Sequence, residues 1–206
     1  MNIPLRPVFV LAAVLALALG STLARNRHDE TSSADRLADT VATVYTAPRS
    51  LPSTALRTVQ GERPASEIFR GRPSLLFFGF ASCPDVCPAT LATLARAVEQ
   101  LPEANRPAVY MVTVDPERDS LDTLTDYVSH FDAGFEGLTG RPDQIREFAD
   151  ALYAAYAKVP LDRDSYTMDH FAGIYFVDAA AQVVAVSTTP HRAEQIAADY
   201  RALFPK

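Results

Sequence analysis

Ser74 to Pro88 reads SLLFFGFASCPDVCP, and the architecture follows from this stretch. Ser74 to Phe80 is an unbroken apolar run bounded by Pro73 and the small residues Ala81 and Ser82. An apolar run without polar alternation marks a strand buried on both faces, as in sheets covered by helices on each side. The period then changes. From Pro88 to Leu101, Leu91, Leu94, Ala95 and Val98 recur at helical spacing. Ala108 to Val114 (AVYMVTV) is a second buried strand, so the unit is strand, helix, strand.

Further along, helices are expected over Leu121–Phe131, Arg141–Tyr156 and Arg192–Leu203, each with apolar residues three and four apart. Ile174–Val177 and Val183–Ser187 flank a short small-residue turn and read as a hairpin. Strand–helix–strand followed by helix, hairpin and helix is the thioredoxin-like arrangement with one inserted helix. The fold class is α/β, a three-layer α/β/α sandwich.

Upstream of the domain the composition shifts twice. Val8 to Leu19 lacks any polar side chain and follows Arg6 and the terminal amine; Gly20, Ser21 and Thr22 come after it. A positive tip, an apolar stretch and small residues predict a signal or membrane anchor over residues 1–24, of marginal spanning length against the roughly twenty residues a helix needs. Residues 25–53 are polar and proline-punctuated and read as a linker, leaving 54–206 as the folded domain on the extracytoplasmic side. The net charge of −6 offers no basic face for a nucleic acid.

Cys83 and Cys87, the only cysteines in the chain, directly follow the first buried strand, where α/β proteins gather functional groups. Placed at the start of a helix, the pair is expected to feel its positive end, which lowers thiol pKa values and favours thiolate. Sulfurs four residues apart can form a disulfide or clasp one soft ion. As a structural crosslink they would close almost no loop. Spacing alone leaves metal chemistry, redox chemistry and an incidental pair open.

Of the four histidines, His28, His130 and His191 are expected at the surface, whereas His170 stands in YTMDH just before the strand entered at Gly173. That loop can face the cysteines. Position alone leaves His170 open between ligand and buried, hydrogen-bonded core residue. Two thiolates and an imidazole suit copper: sulfur selects Cu(I), and the imidazole makes Cu(II) tolerable. Zinc normally takes four ligands, and no fourth is evident. Asp169 beside His170 is a candidate to orient its ring from outside the ligand set, with a capping role as the alternative. Asp115, in the DPERD segment after the second strand, is a turn or cap residue with a possible supporting role at the cysteine loop.

At these residues the chain resembles the Sco/SenC family of copper-binding proteins. FFGFASCPDVCP (Phe77–Pro88), VDPERDS (Val114–Ser120), GLTG (Gly137–Gly140) and YTMDH (Tyr166–His170) followed by IYFVD occur in the family's order, over about residues 47–205. The resemblance implies a thioredoxin-like fold with an N-terminal membrane anchor. It also implies copper bound as Cu(I) or Cu(II) by Cys83, Cys87 and His170, with Cys83–Cys87 as the redox disulfide. The implied role is copper delivery to the dinuclear site of cytochrome c oxidase, or its preparation. Expected partners are the oxidase's copper-binding subunit or another copper client, and other copper chaperones. Delivery requires no bond-making catalysis, so no enzymatic activity is demanded. Ala81-Ser82 before the first cysteine and Phe171 after the histidine depart from the family's usual polar residues.

The competing reading is a thiol–disulfide oxidoreductase that reduces client cysteines. A peroxidase of this fold would want threonine three residues before its reactive cysteine, where Phe80 and Pro84 stand instead.

Overall fold

The computed structural model describes residues 40–163 and 165–205; the expected anchor (1–24), most of the expected linker and His28 lie outside them. The order of elements is β1 (Thr43–Ser50), β2 (Ala55–Thr58), β3 (Gly61–Pro64), α1 (Ala65–Ile68), β4 (Ser74–Gly79), α2 (Val86–Glu99), β5 (Ala108–Thr113) and α3 (Leu121–Ser129). Then come β6 (Phe135–Leu138), α4 (Pro142–Ala151), β7 (Tyr156–Pro160), β8 (Tyr166–His170), β9 (Ile174–Val177), β10 (Gln182–Ser187) and α5 (Ala193–Leu203).

The main sheet runs β1-β10-β9-β4-β5-β6. Its centre is parallel (β4 with β5, β5 with β6), while β9 lies antiparallel to β4. Every residue of β4 and β5 is buried, which is what the two apolar runs demand. Side chains alternate between the faces. Phe77 and Gly79 point to the side carrying α2, and Gly137 meets Leu124 of α3 on that side. Phe78 points the other way, onto Phe148 of α4, with ring centroids 5.8 Å apart. Helix α5 packs against α2. Helices therefore cover both faces, the expected sandwich.

β2, β3, α1 and β6 have no counterpart in the sequence-based expectation, and three further segments differ from it. The stretch 43–50, read as linker, is the edge strand β1, paired antiparallel with β10. Its side chains are mostly exposed, so no apolar alternation betrays it. The helix expected to reach Tyr156 stops at Ala151: Tyr153 takes a left-handed φ of 56°, and Tyr156 begins β7. The supposed loop 166–170 is strand β8, paired with β7 so that Tyr156 faces His170 and Pro160 faces Tyr166. This hairpin forms a separate two-stranded sheet. Among the described residues, no helix is long and apolar enough to cross a membrane.

Candidate metal centre

Strand β4 delivers the chain to the cysteine loop. Gly79 closes it at a point with no room for a side chain: a Cβ there would sit 2.8 Å from the Phe77 ring, 3.1 Å from Cys87 Sγ and 3.2 Å from Met111 Cε. The missing side chain is the space the Cys87 sulfur occupies. After the loop, the first turn of α2 turns Cys87 inward to complete burial, while Cys83 stays partly exposed. The Cys87 amide donates to Cys83 Sγ at 3.3 Å. That amide belongs to the first turn of α2, whose N–H groups have no partner within the helix.

His170 closes the site from the end of β8. Its Nε2 lies 3.5 Å from Cys87 Sγ, although the two residues are 83 positions apart. One donor atom from each of Cys83, Cys87 and His170 falls within 4.8 Å of the others, the one such three-residue group among the described residues. The imidazole is held edge-on by two rings from the first buried strand and its end, Phe77 at 6.0 Å and Phe80 at 5.9 Å between centroids. Its Nδ1 stands 3.2 Å from the Phe171 carbonyl. A carbonyl only accepts, so Nδ1 carries the proton and Nε2 turns its lone pair toward the sulfurs.

Burial governs the charges. It lowers the pKa of His170, so the ring is neutral, the form that ligates metals. It pushes the Cys87 thiol far up, reinforced by the Cys83 sulfur and Asp119, against an opposing backbone hydrogen bond at Phe80. The expected lowering at the helix terminus therefore does not hold for Cys87, because desolvation of a fully buried sulfur outweighs the dipole. In the metal-free site Cys87 is a thiol, with Nε2 as its natural acceptor. Both cysteines are unbridged.

The donors fit a copper ion. With metal–sulfur and metal–nitrogen bonds of about 2.0–2.3 Å, three ligands around one ion stand about 3.5–4.0 Å apart, close to the spacing here. Two soft sulfurs with one imidazole match copper in either oxidation state.

The outer residues are arranged differently from the expectation. Asp169 is exposed beside His170 and does not hold the ring, whose Nδ1 is taken by the Phe171 carbonyl. It acts on the imidazole only through charge, favouring the protonated form. Asp115 is buried, but its carboxylate binds Arg118 and the Tyr166 hydroxyl, the latter at 2.9 Å. The cysteine loop is instead supported by Asp119, which accepts from the Ala81 amide at 3.1 Å and the Thr113 hydroxyl at 2.6 Å. Burial raises the Asp119 carboxyl, offset in part by these two bonds. Acidic residues two apart in a turn motif give no hint of which one turns toward the cysteines. Of the other histidines, His130 is exposed at the end of α3, and half-buried His191 meets the Ala172 carbonyl at 2.8 Å.

This architecture is shared with known proteins. The SCO1/SenC family model matches residues 52–204. The chain belongs to the SCO1/SenC family. A SCO2-like protein of Rickettsia conorii is 38% identical over 122 residues, 58% of this chain and 60% of that protein. This chain thus spans less than two thirds of that relative. Among solved structures, apo Sco1 from Thermus thermophilus is 36% identical and superposes with a TM-score of 0.71 over 80% of this chain and 97% of that one. Bradyrhizobium japonicum ScoI, solved with copper bound, is 33% identical with a TM-score of 0.63, over 77% of this chain and 98% of that one.

Proposed function

We propose that this protein is a copper carrier in which Cys83, Cys87 and His170 hold one ion and surrender it to a client by ligand exchange. The single observation behind this reading is the convergence of two sulfurs and an unprotonated imidazole nitrogen within 4.8 Å. The fold brings them together with the ring tautomer already set for ligation. Bradyrhizobium japonicum ScoI, one-third identical to this chain, was solved with copper bound. Binding displaces the Cys87 proton, so loading releases protons. Two thiolates accept Cu(I); the imidazole extends the site to Cu(II).

The family resemblance carries the remaining parts of the reading. Residues 1–24 anchor the chain in a membrane and the following polar stretch tethers the domain on the extracytoplasmic side. The client is the copper-binding subunit of cytochrome c oxidase. The Cys83–Cys87 pair, free and adjacent, also supports a second reading in which the protein reduces client disulfides.

Copper titration of the full chain separates the two. One Cu(II) per chain is expected, bound weakly or not at all after Cys83→Ala, Cys87→Ala or His170→Ala. If His170→Ala binds Cu(I) and Cu(II) like the wild type while a dithiol–disulfide substrate still turns over, the oxidoreductase reading replaces the carrier.

A further inference from the structure

The β7–β8 hairpin that carries His170 lies outside the main sheet, and Met168 is its one buried strand residue. What fixes it to the body is a set of charged and aromatic contacts. On the α4 side, the Arg146 guanidinium stacks on the Tyr156 ring at 3.6 Å and donates to the Tyr156 carbonyl at 3.2 Å. On the opposite side the hold is denser. Tyr166 lies between two cations, Arg118 and Lys158, each 3.8 Å from its ring centre. Arg118 also donates to the Tyr166 carbonyl at 3.0 Å and pairs with Asp115. The Tyr166 hydroxyl donates to Asp115, and Lys158 pairs with Glu117 at 2.8 Å.

Asp115, Glu117 and Arg118 all belong to the segment that follows β5. Asp119 of the same segment holds the cysteine loop through the Ala81 amide. One short stretch thus grips both halves of the site: the loop with the sulfurs directly, and the strand with the imidazole through Tyr166. Tyr166 and His170 are four apart on β8, so they share the body-facing side of the strand. Buried Met168 lies between them. The distance from Tyr166 to His170 along the strand is about 13 Å, a rigid lever of paired backbone.

We propose that the Asp115–Arg118–Tyr166–Lys158–Glu117 cluster is a clasp that positions His170 and thereby sets the preference of the site between Cu(II) and Cu(I). The inference rests on the reading of Cys83, Cys87 and His170 as ligands. The two sulfurs reside on β4–α2 and do not depend on the hairpin, so they keep Cu(I) when the hairpin swings away. Cu(II) needs the imidazole and is lost first. The clasp is made of charge pairs and cation–π contacts at a partly exposed surface, which salt weakens. Ionic strength therefore acts on the oxidation state that the site favours.

The test uses the full chain with Tyr166→Phe, Arg118→Ala, Arg118→Lys and, as reference, His170→Ala. Tyr166→Phe conserves volume and removes only the bond to Asp115, so folding is preserved. Arg118→Ala is expected to weaken Cu(II) about tenfold, the worth of one charge-assisted hydrogen bond, and Cu(I) by less than about threefold. Tyr166→Phe is expected to move the same ratio in the same direction, and Arg118→Lys to restore part of it. In the metal-free protein, amide hydrogen exchange of residues 156–170 is expected to quicken in Arg118→Ala and in wild type at high salt, with β4 and β5 unchanged. An unchanged Cu(II)-to-Cu(I) affinity ratio in both Arg118→Ala and Tyr166→Phe, or unchanged hairpin exchange, overturns the clasp. If His170→Ala itself leaves Cu(II) binding intact, the ligand assignment falls instead.

Discussion

Replacing Gly79 by alanine puts a methyl group where the metal centre has no space. The added carbon meets the Phe77 ring at 2.8 Å, Cys87 Sγ at 3.1 Å and Met111 Cε at 3.2 Å. Met111 ends in a flexible thioether and yields easily. The Phe77 ring is fully buried and cannot. Overpacking a core of this kind costs about 1–3 kcal/mol. For a domain of this size each kcal/mol shifts Tm by about 2–4 °C, so a fall of about 2–12 °C is expected. The same push reaches both ends of the metal site, because Phe77 contacts the His170 ring and the new methyl displaces the Cys87 sulfur. Cu(II) affinity should therefore drop by more than the stability loss explains. Gly137→Ala provides the control: its Cβ would lie 2.6 Å from Leu124 Cβ, a worse clash made against α3. Both variants are to be followed by thermal denaturation and Cu(II) titration. If Gly79→Ala lowers Tm yet binds Cu(II) as the wild type does, the idea that this glycine makes room for the sulfur is wrong.

Asp119→Ala strips the Thr113 hydroxyl and the Ala81 amide of their acceptor, at about 1–3 kcal/mol for each buried donor, read as a lowered denaturation midpoint. Asp119→Asn keeps an oxygen for both donors and removes the charge. Because burial raises this carboxyl above its unfolded value, its stabilising contribution is complete below about pH 4 and is lost as pH rises through the folded-state value. The asparagine variant escapes that loss, so its Tm should rise relative to the wild type's from about pH 4 toward neutrality; a variant Tm that falls relative to the wild type's as pH rises contradicts the sign. Asp199, fully buried on α5, accepts from the Val41 and Ala42 amides at 3.1 and 3.0 Å. Asp199→Ala should free the start of β1 and speed limited proteolysis around residues 40–50, and an unchanged cleavage rate would show that β1 pairing alone suffices.

The parts of the fold legible in the sequence are long elements that bury a face; four-residue β6 is buried as well but too short to show a period. β4 and β5 are apolar throughout, and α3 and α4 carry apolar stripes, so period and burial agree. β1 and the β7–β8 hairpin were not legible, for a common reason. Each is an exposed ribbon whose position comes from backbone pairing or from contacts between charged and aromatic side chains, and such contacts leave no periodic trace. The cysteine pair could be placed from the strand that precedes it. His170 could not: whether a residue 83 positions away returns to the sulfurs depends on that unreadable hairpin. Asp119 was hidden differently, by standing in a turn motif whose several acids look alike before the backbone orients them.

The unequal exposure of the two sulfurs imposes an order on any transfer. A visiting donor or acceptor meets Cys83 at the rim, whereas Cys87 lies sealed behind it. Handover is thus a one-sided affair. In the proposed carrier an incoming ligand bonds to the ion and displaces the outer sulfur first, and the inner one lets go last, a latch that keeps the cargo from escaping until the recipient has already taken hold.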